Sequence, residues 1–233
     1  MTLALLYAGD GIDQAVQVVS TGLNASVAQV AGALTQIGYS AGQIASMLQS
    51  DLSATQAQIY NAFQSIGEGG QNILDQVANF FNSGSYTIST TAPWSVPLVM
   101  DVSNGSQDPS ASVIQWTWNG GHNQDWYVLP TDSGYAELVN RNRGQCLTVN
   151  NSDGVAGESL VQYPCLGVNS QQWYLGVSAG NSNVSYQTHV LTNRNSGLVA
   201  DVSGASYDRG TSIEQWYEND NWNQQWYFSP AIG

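Results

Sequence analysis

The sequence predicts a multidomain protein of the α plus all-β class, in which a small helical bundle precedes a domain of short strands. Two observations carry this prediction. Up to about residue 84 the apolar residues recur at helical spacing, whereas beyond it they alternate in short runs separated by Gly, Asn, Asp and Ser. In the second part a Gln-x-Trp motif also returns three times with matched residues upstream, which indicates three copies of one structural unit.

The segment 1–84 is predicted to form short helices joined by tight turns. Gly38 and Gly67 end two of these helices, as a glycine at a helix C-terminus commonly does. Ser40 and Ser53 are predicted N-caps, because a serine oxygen satisfies free N–H groups in the first turn of a helix. The apolar residues that mark the helices are Ile12, Val16 and Val19; Val27, Val30, Leu34 and Ile37; Ile44, Met47 and Leu48; Ile59, Phe63 and Ile66; and Ile73, Val77, Phe80 and Phe81.

The role of this helical domain stays open between three interpretations. Its charged residues are five carboxylates, with no Lys, Arg or His. A nearly uncharged surface of Gln, Ser and Asn repels a second copy of the chain only weakly, which favours self-association. The other two interpretations are a small helical core that acts as a spacer and a membrane-active, toxin-like segment.

Residues 85–233 are predicted to form one all-β domain with repeats at 85–131, 132–182 and 183–233. In every repeat the Gln-x-Trp motif follows an aromatic residue and, further upstream, a short polar residue at the same spacing. Three repeats are too few to close a β-propeller, which has at least about four blades. Three is the number of lobes in a β-trefoil, which is therefore the predicted architecture.

This second domain resembles the ricin-type β-trefoil lectins, the family 13 kind of carbohydrate-binding module. The resemblance covers 85–233 and leaves the helical domain unassigned. It implies twelve strands in three lobes related by pseudo-threefold symmetry, with one shallow sugar pocket possible in each lobe. The segments that carry it are VIQWTWNGGHNQDW at 113–126, LVQYPC through QQW at 160–173, and IEQWY through NQQW at 213–226.

A sugar site needs an acceptor for hydroxyl groups and a flat ring for the apolar C–H face of the sugar. In the family, an Asp after the second strand, an aromatic residue in the third strand and the Asn of an Asn-Gln pair meet these needs. The residues that match are Asp101, Trp116 and Asn123, with Gln124 in support, in repeat one, and Asp201, Trp216 and Asn223, with Gln224 in support, in repeat three.

Each of these residues also has a purely structural interpretation. The aspartates suit an Asx-turn, and the aromatic residues upstream of the motif suit the core. The glutamines recur in all three repeats, so a structural hydrogen bond explains them as well as ligand contact does. The tryptophans of the motif itself are predicted to be core residues: Trp126, Trp173 and Trp226.

Repeat two departs from the pattern of the binding residues. Thr148 stands where the other repeats have Asp, and Ser170 stands where they have Asn, although Tyr163 keeps an aromatic ring. Losing a hydrogen bond to a charged acceptor costs about 1.5–3 kcal/mol. A millimolar sugar site has only about 4 kcal/mol in total, so this pocket is predicted to be empty or very weak.

Repeats one and three also differ from the family and from each other. Where the family often has Gln, this chain has Ile114 and Glu214, and the Gln follows one place later as Gln115 and Gln215, on the other face of the strand. Glu214 is a further candidate contact for a sugar hydroxyl, which Ile114 cannot be, so the two sites are expected to differ. Further aromatic residues near these loops either extend a pocket or fill the surface: Trp94, Trp118 and Trp222.

The resemblance further implies a disulfide between Cys146 and Cys165, the only cysteines in the chain. Such a bridge stabilises by roughly 3 kcal/mol in the loop-entropy model, and two buried free thiols are the alternative. A disulfide implies an oxidising compartment and hence an extracellular or secreted location. The apolar start at 1–8 lacks the basic region of a signal peptide, so no clear signal is predicted in this numbering.

Charge narrows the class of partner. The net charge is −13, with no Lys and four Arg in 233 residues. Nucleic acids and anionic lipids are bound through Lys and Arg, so neither is an expected partner. No apolar run reaches the roughly 18 residues of a membrane-spanning helix. The expected partners are glycans and, through the helical domain, further copies of the chain.

Catalysis is not predicted. Glycoside hydrolysis needs two positioned carboxylates, whereas those of the helical domain are thinly spread. His122 and His189 have no Cys or Ser partner at a telling spacing, and no metal cluster, phosphate loop or cofactor motif is found.

The favoured function is a lectin for glycans, with galactose or N-acetylgalactosamine first among the sugars. It would act through pockets in repeats one and three and gain avidity by association of the helical domain. Two alternatives stay open. One is a glycan-targeted toxin whose helical domain acts on membranes or cells, and the other is a protein-binding trefoil with vestigial pockets.

Overall fold

The structure is a computed structural model, and it describes residues 25–67, 77–78, 84–91, 98–178 and 187–231. The chain divides into two compact units, Met1–Ser83 and Gly84–Gly233. The predicted helix around Ile12, Val16 and Val19 lies outside the described residues. Of the helix predicted at 73–81, only Val77 and Ala78 are described, and both are helical and buried.

Three helices are described in the first unit: α1 Val27–Ile37, α2 Ala41–Leu52 and α3 Gln56–Ser65. Each begins with a capping box, in which a hydroxyl accepts a hydrogen bond from the N–H three residues on, and a Gln side chain accepts from the cap N–H in return. The pairs are Ser26 with Gln29, Ser40 with Gln43 and Thr55 with Gln58. None of the described helices has the length and apolarity needed to cross a membrane.

The helix ends test the predicted caps. The cap at Ser40 is confirmed, and Gly38 ends α1 in the left-handed region with φ 99°. The cap predicted at Ser53 is wrong. Because α2 runs directly up to it, Ser53 becomes the C-cap of that helix, with φ 52° and its N–H donated to the Leu48 carbonyl. Thr55 is the next side chain that can cap α3.

α1 packs against both α2 and α3. The interior is formed by apolar side chains at the predicted spacing, because a 3.6-residue period places them on one face of each helix. The buried residues that span the three helices are Val30, Leu34, Ile44, Leu48, Ile59, Tyr60 and Phe63. Asp51 is the only charged residue in 25–67, so the described outer surface consists largely of amides and hydroxyls.

Twelve antiparallel strands are described in the second unit, four in each repeat. They are β1 Ser85–Thr90, β2 Leu98–Val102, β3 Val113–Thr117, β4 Asp125–Pro130, β5 Tyr135–Asn140, β6 Gln145–Val149, β7 Leu160–Pro164, β8 Gln172–Val177, β9 Thr188–Asn193, β10 Val199–Val202, β11 Ile213–Trp216 and β12 Trp226–Pro230.

The strand pairing confirms the predicted architecture. β1 pairs with β4, β4 with β5, β5 with β8, β8 with β9, β9 with β12, and β12 with β1, which closes a six-stranded barrel. The remaining strands form one hairpin per repeat: β2–β3, β6–β7 and β10–β11. A closed barrel with three hairpins in threefold arrangement is the β-trefoil, so the fold class is α plus a β-trefoil.

The three tryptophans of the Gln-x-Trp motif are core residues, as predicted. Trp126, Trp173 and Trp226 are fully buried in one apolar cluster at the centre of the domain. A buried indole N–H needs an acceptor. Each finds a backbone carbonyl at 3.1 Å, on Met100, Leu147 and Ala200 respectively, so each tryptophan ties the barrel to the hairpin of its own repeat.

The disulfide implied by the resemblance is present between Cys146, in β6, and Cys165, just after β7. It closes a loop with a sequence separation of 19 residues and joins the two strands of the hairpin in repeat two. Glu137 lies close to both sulfurs. The three residues do not form a metal site, because both sulfurs are consumed in the disulfide.

Candidate functional sites

The residues predicted to bind in repeat one lie around one concavity, called site one. It has a volume of about 460 Å³. Site three and site two are the corresponding places in repeats three and two, around Asp201 and Thr148. The residues that line site one are Asp101, Ser103, Asn104, Gly105, Ile114, Trp116, Asn119, Asn123 and Gly210.

Strand register places the first half of site one. Asp101 lies within β2, not after it as the family pattern implied, and stands directly opposite Ile114 on β3. Side chains two residues apart share a face of a strand, so Trp116 lies beside Ile114. Gln115 turns to the opposite face, as predicted, and is buried. The Trp116 ring is 40% exposed, which excludes the core-packing interpretation.

The Asp101 carboxylate is held from one side only. Its Oδ2 accepts hydrogen bonds from Asn123 Nδ2 at 2.9 Å and from Gln124 Nε2 at 2.7 Å. Among the described residues, Oδ1 has no hydrogen-bond donor. Burial raises the pKa of Asp101 to about 6, although both hydrogen bonds act to lower it. The result is an oriented acceptor with one oxygen left for a ligand.

Gln124, predicted to support the site, is fully buried and has no polar atom left for a ligand. Its Nε2 also donates to the Thr117 carbonyl at 2.9 Å, and its Oε1 accepts from the Asn119 N–H at 2.8 Å. Gln124 therefore positions Asp101, as the structural interpretation of this residue expects. The same holds for Gln224, which donates to Asp201 and accepts from the Asn219 N–H.

Much of the Asn123 side chain is already engaged within the protein. Its Nδ2 donates both to Asp101 and to the Val102 carbonyl, at 2.9 and 3.2 Å, which uses both amide hydrogens. Only its Oδ1 is left to meet a ligand. Gly121 leaves room for this oxygen, because a Cβ at that position would collide with it.

Site three repeats the arrangement with Asp201, Trp216 and Asn223. Asp201 Oδ2 accepts from Asn223 Nδ2 at 2.8 Å and from Gln224 Nε2 at 2.6 Å, and the Trp216 ring is 41% exposed. The pKa of Asp201 is raised to about 6 by burial and, to a smaller extent, by the charge of Glu214. Glu214 lies directly opposite Asp201 on the neighbouring strand, where site one has Ile114.

The turn before β12 makes the surroundings of site three different. Asn223 is buried, and its Oδ1 has no hydrogen-bond partner among the described residues. Trp222, next to it, stacks on Tyr207 with ring centroids 4.4 Å apart and planes 6° apart. Trp118 of repeat one is exposed, and Trp94 lies outside the described residues.

Site one and site three are each walled in part by a residue from another repeat, which was not predicted from the sequence. Gly210 of repeat three lies against the Trp116 ring, and Gly157 of repeat two lies against the Trp216 ring, since an added Cβ would stand 3.5 and 3.4 Å away. Both glycines have positive φ, 83° and 92°. Ser110 is the matching residue beside repeat two, with φ 66°. The signal available in the sequence was a Gly nine positions after 148 and after 201, with Ser110 at the matching position after 101.

Buried glutamines fix the loops that carry these residues. They stand one place later in the strand than the glutamine of the family pattern. Gln115 Nε2 donates to the Ser206 and Asp208 carbonyls, both at 2.9 Å. Gln162 does the same to Ser106 and Asp108, and Gln215 donates to Val155 at 2.7 Å. Each glutamine therefore locks its repeat to the next loop around the pseudo-threefold axis.

The start of each following repeat supports the site before it. Asn140 Nδ2 donates to the Asn123 carbonyl at 3.0 Å, and Asn142 Nδ2 donates to the Gly105 carbonyl at 3.0 Å. In the next repeat Asn193 and Asn195 make the same bonds to Ser170 and Ser152. The Asn-Arg-Asn segments at 140–142 and 193–195 thus hold the loops around site one and site two in place.

Among the described residues, site two has no free acceptor comparable with Asp101. The Thr148 hydroxyl donates to the Cys146 carbonyl at 2.8 Å and accepts from Gln171 Nε2 at 3.1 Å. Ser170 is buried and bonded to Ser152. Tyr163 keeps a ring that is 40% exposed. The loop beyond it carries exposed Leu166 and Val168 where site one has Asn119 and Gly121.

Fold and sites together define a β-trefoil of the lectin type. A family model described as "Ricin-type beta-trefoil lectin domain-like" matches residues 76–163, 122–216 and 169–233. The chain belongs to this family. No curated protein sequence gives a significant match to it.

Solved structures similar to this chain include a designed threefold-symmetric protein, ThreeFoil. It is 32% identical, with 62% of this chain and 97% of that chain covered and a TM-score of 0.55. An exo-β-1,3-galactanase from Clostridium thermocellum is 28% identical, with 63% of this chain and 30% of that chain covered and a TM-score of 0.56. This chain thus spans less than a third of the galactanase.

The Macrolepiota procera ricin B-like lectin, solved in complex with lactose, is 20% identical, with 63% of this chain and 94% of that chain covered and a TM-score of 0.52. At that identity the likeness concerns the fold.

Proposed function

We propose that this protein is a lectin that binds glycans through site one and site three. The observation that carries the proposal is the recurrence, 100 residues apart, of an exposed tryptophan beside an aspartate whose Oδ1 is unbonded among the described residues. The carboxylate accepts hydrogen bonds from sugar hydroxyls, and the ring covers the apolar face of the sugar. Membership of a lectin-type family supports this assignment.

Site two is proposed to be empty. Its threonine hydroxyl is already engaged as donor and acceptor, and its serine is buried. Tyr163 alone supplies area without an oriented acceptor, and a single ring is a weak determinant of sugar binding.

Galactose and N-acetylgalactosamine are the first sugars to test, because they are the commonest ligands of the family that the sequence resembles. The galactanase among the similar structures is in keeping with this choice. A glycan array then extends the test to other sugars and linkages.

The proposal is tested with Asp101→Asn, Asp201→Asn and the double variant. Losing a charged acceptor costs about 1.5–3 kcal/mol, so each single variant should weaken its own site about 10- to 100-fold. By titration calorimetry the stoichiometry is expected to fall from two to one in each single variant. The double variant is expected to lose glycan-array signal.

Thr148→Val is the matched control, because it changes the corresponding position of site two. It is expected to leave glycan binding as in the parent chain. Unchanged binding in the Asp101→Asn, Asp201→Asn double variant would refute the assignment of both sites and favour a protein-binding trefoil.

The proposal also covers how the protein gains avidity and where it is located. The helical unit is proposed to associate copies of the chain, which its single charged residue in 25–67 favours. Several weak sites on one assembly then bind a glycan surface more tightly than one site does. The disulfide between Cys146 and Cys165 favours an extracellular or secreted location.

A further inference from the structure

Site one and site three share their binding residues and differ in one chemically decisive position. Both have the Asp, the Trp, the Asn and an Asn at 119 or 219. Where Ile114 offers site one an apolar wall, Glu214 offers site three a second carboxylate. The selectivity of the two sites therefore depends on what this carboxylate does.

Glu214 and Asp201 face each other with no charge to offset them. They are direct partners in the β10–β11 register, so their side chains leave the same face about 5 Å apart. Like charges at such a pair are destabilising. Among the described residues neither carboxylate forms a salt bridge, while Arg141 pairs with Asp125 and Arg194 with Asp132.

The loops that lie against the two tryptophan rings also differ in charge between site one and site three. Site one receives Gly210, which directly follows Arg209, whereas site three receives Gly157, which follows Ala156. Site three also has a buried amide oxygen, Asn223 Oδ1, without a donor among the described residues. Site three thus has an excess of acceptors over donors.

A ligand suited to site three must carry positive charge, several hydrogen-bond donors and an apolar face. An ammonium group has three donors and one charge. The exposed Trp216 ring needs a flat apolar partner, which a bare metal ion lacks. A sugar with a free amino group meets all three requirements.

We infer that site three selects an amino sugar and holds its ammonium group between Asp201 and Glu214, whereas site one selects a neutral sugar. The inference rests on the proposed sugar binding and refines it. Because Glu214 is half-buried, its charge pair with the ammonium group contributes up to about 1 kcal/mol, so we expect about a fivefold preference for the amine.

The test uses the full chain with one site silenced. In an Asp101→Asn background only site three is active, and the affinities of D-galactosamine and D-galactose are compared by calorimetry at about pH 7, where the amine is largely protonated. Galactosamine is expected to bind about fivefold tighter, with the ratio falling as NaCl rises because salt screens the charges. Adding Glu214→Ile is expected to bring the ratio to about one.

The reciprocal variant controls for folding. In an Asp201→Asn background, Ile114→Glu is expected to confer the amine preference on site one, which a merely structural Glu214 would not do. Equal affinities for the two sugars at site three, or a preference that survives Glu214→Ile, would overturn the inference and leave the lectin proposal standing. A Ca²⁺ requirement that Glu214→Ile abolishes would also overturn it, in favour of a metal ion. If neither sugar nor any arrayed glycan binds the parent chain, the lectin proposal itself fails.

Discussion

At the residue scale, the chemistry of the trefoil centres on the carboxyl groups of Asp101 and Asp201. Each is buried, each accepts two amide hydrogen bonds at Oδ2, and Oδ1 of each has no donor among the described residues. The amides orient the group, while burial disfavours its charge, so the pKa of each rises to about 6. These residues therefore titrate close to physiological pH.

We expect sugar affinity at both sites to fall about tenfold between pH 7 and pH 5. Only the ionised carboxylate keeps its full acceptor capacity, so protonation of one group with a pKa of about 6 sets the loss. Calorimetry with a neutral sugar across this range measures the midpoint. A midpoint near the ordinary aspartate value, about 4, would contradict the burial argument.

The same pKa values act on stability with the opposite sign. A carboxyl whose pKa is raised from 3.8 to about 6 takes up its proton more readily in the folded state. Its contribution to the free energy of unfolding is fully present below about pH 4 and is lost as pH rises through about 6. Asp101→Asn is therefore expected to keep or raise stability at pH 7 by urea unfolding, so its loss of binding reports on the site.

Trp126 and Trp116 of repeat one are expected to affect different properties: Trp126 the stability of the domain, and Trp116 sugar binding. Trp126→Phe removes a buried indole and its bond to the Met100 carbonyl, so the free energy of unfolding should fall by about 2–4 kcal/mol. Trp116→Phe alters an exposed ring and should change it by only about 0.5 kcal/mol. Its effect should appear as weaker binding at site one. Urea unfolding and calorimetry on both variants check this, and equal destabilisation would contradict the assignment.

At the scale of elements, site one is assembled from three repeats. Repeat one supplies the strand pair and the turn of site one, repeat three supplies Gly210 against Trp116, and repeat two supplies Asn140 and Asn142 as clamps. The pocket is therefore a product of the closed trefoil. A single repeat contains Asp101, Trp116 and Asn123 without the residues of the other two repeats that surround them.

Asn142→Ala should weaken site one without silencing site three. The variant removes the donor to the Gly105 carbonyl, on the turn that lines site one. We expect about a fivefold loss of affinity at site one, measured in an Asp201→Asn background, since one hydrogen bond contributes about 1 kcal/mol. Asn195→Ala is the control, because the same bond there ends at Ser152 of site two. Equal effects of the two variants on sugar affinity would refute the clamp.

At the scale of the whole molecule, the three lobes share one structure, but at most two of them are proposed to bind sugar. All three repeats keep the Gln-x-Trp pair, because Gln124 and Trp126 and their counterparts satisfy buried groups that every lobe has. Only two repeats keep the aspartate. With the amine selectivity inferred for site three, site one and site three also bind different sugars.

Removal of residues 1–83 is expected to separate avidity from affinity. The shortened chain retains the whole second compact unit, so its affinity per site should match that of the full chain. Agglutination of glycan-coated beads should be lost, and light scattering should give a smaller assembly. The full-length Asp101→Asn, Asp201→Asn variant is the control that assembles without binding. Agglutination by the shortened chain would refute association through the helical unit.

Several features of the fold were predictable because they depend on local pattern. The helical period placed Leu34, Ile44 and Phe63 in the interior, and the fixed spacing of the Gln-x-Trp motif indicated three lobes. The cap at Ser53 failed because two adjacent helices compete for one serine, which the spacing of apolar residues does not resolve.

The pairing of the cysteines was implied by the family resemblance. By itself, the sequence determined the number of lobes, the buried tryptophans and which repeats carry an aspartate. These follow from spacing and residue type, which are properties of the chain alone. Only the tertiary structure decided that Gln124 positions Asp101 and that Asn123 has one free oxygen. It also decided that Glu214 faces Asp201 while Gly157 and Gly210 form walls for other repeats. Those outcomes depend on strand register and closure of the barrel, which join residues far apart in the chain.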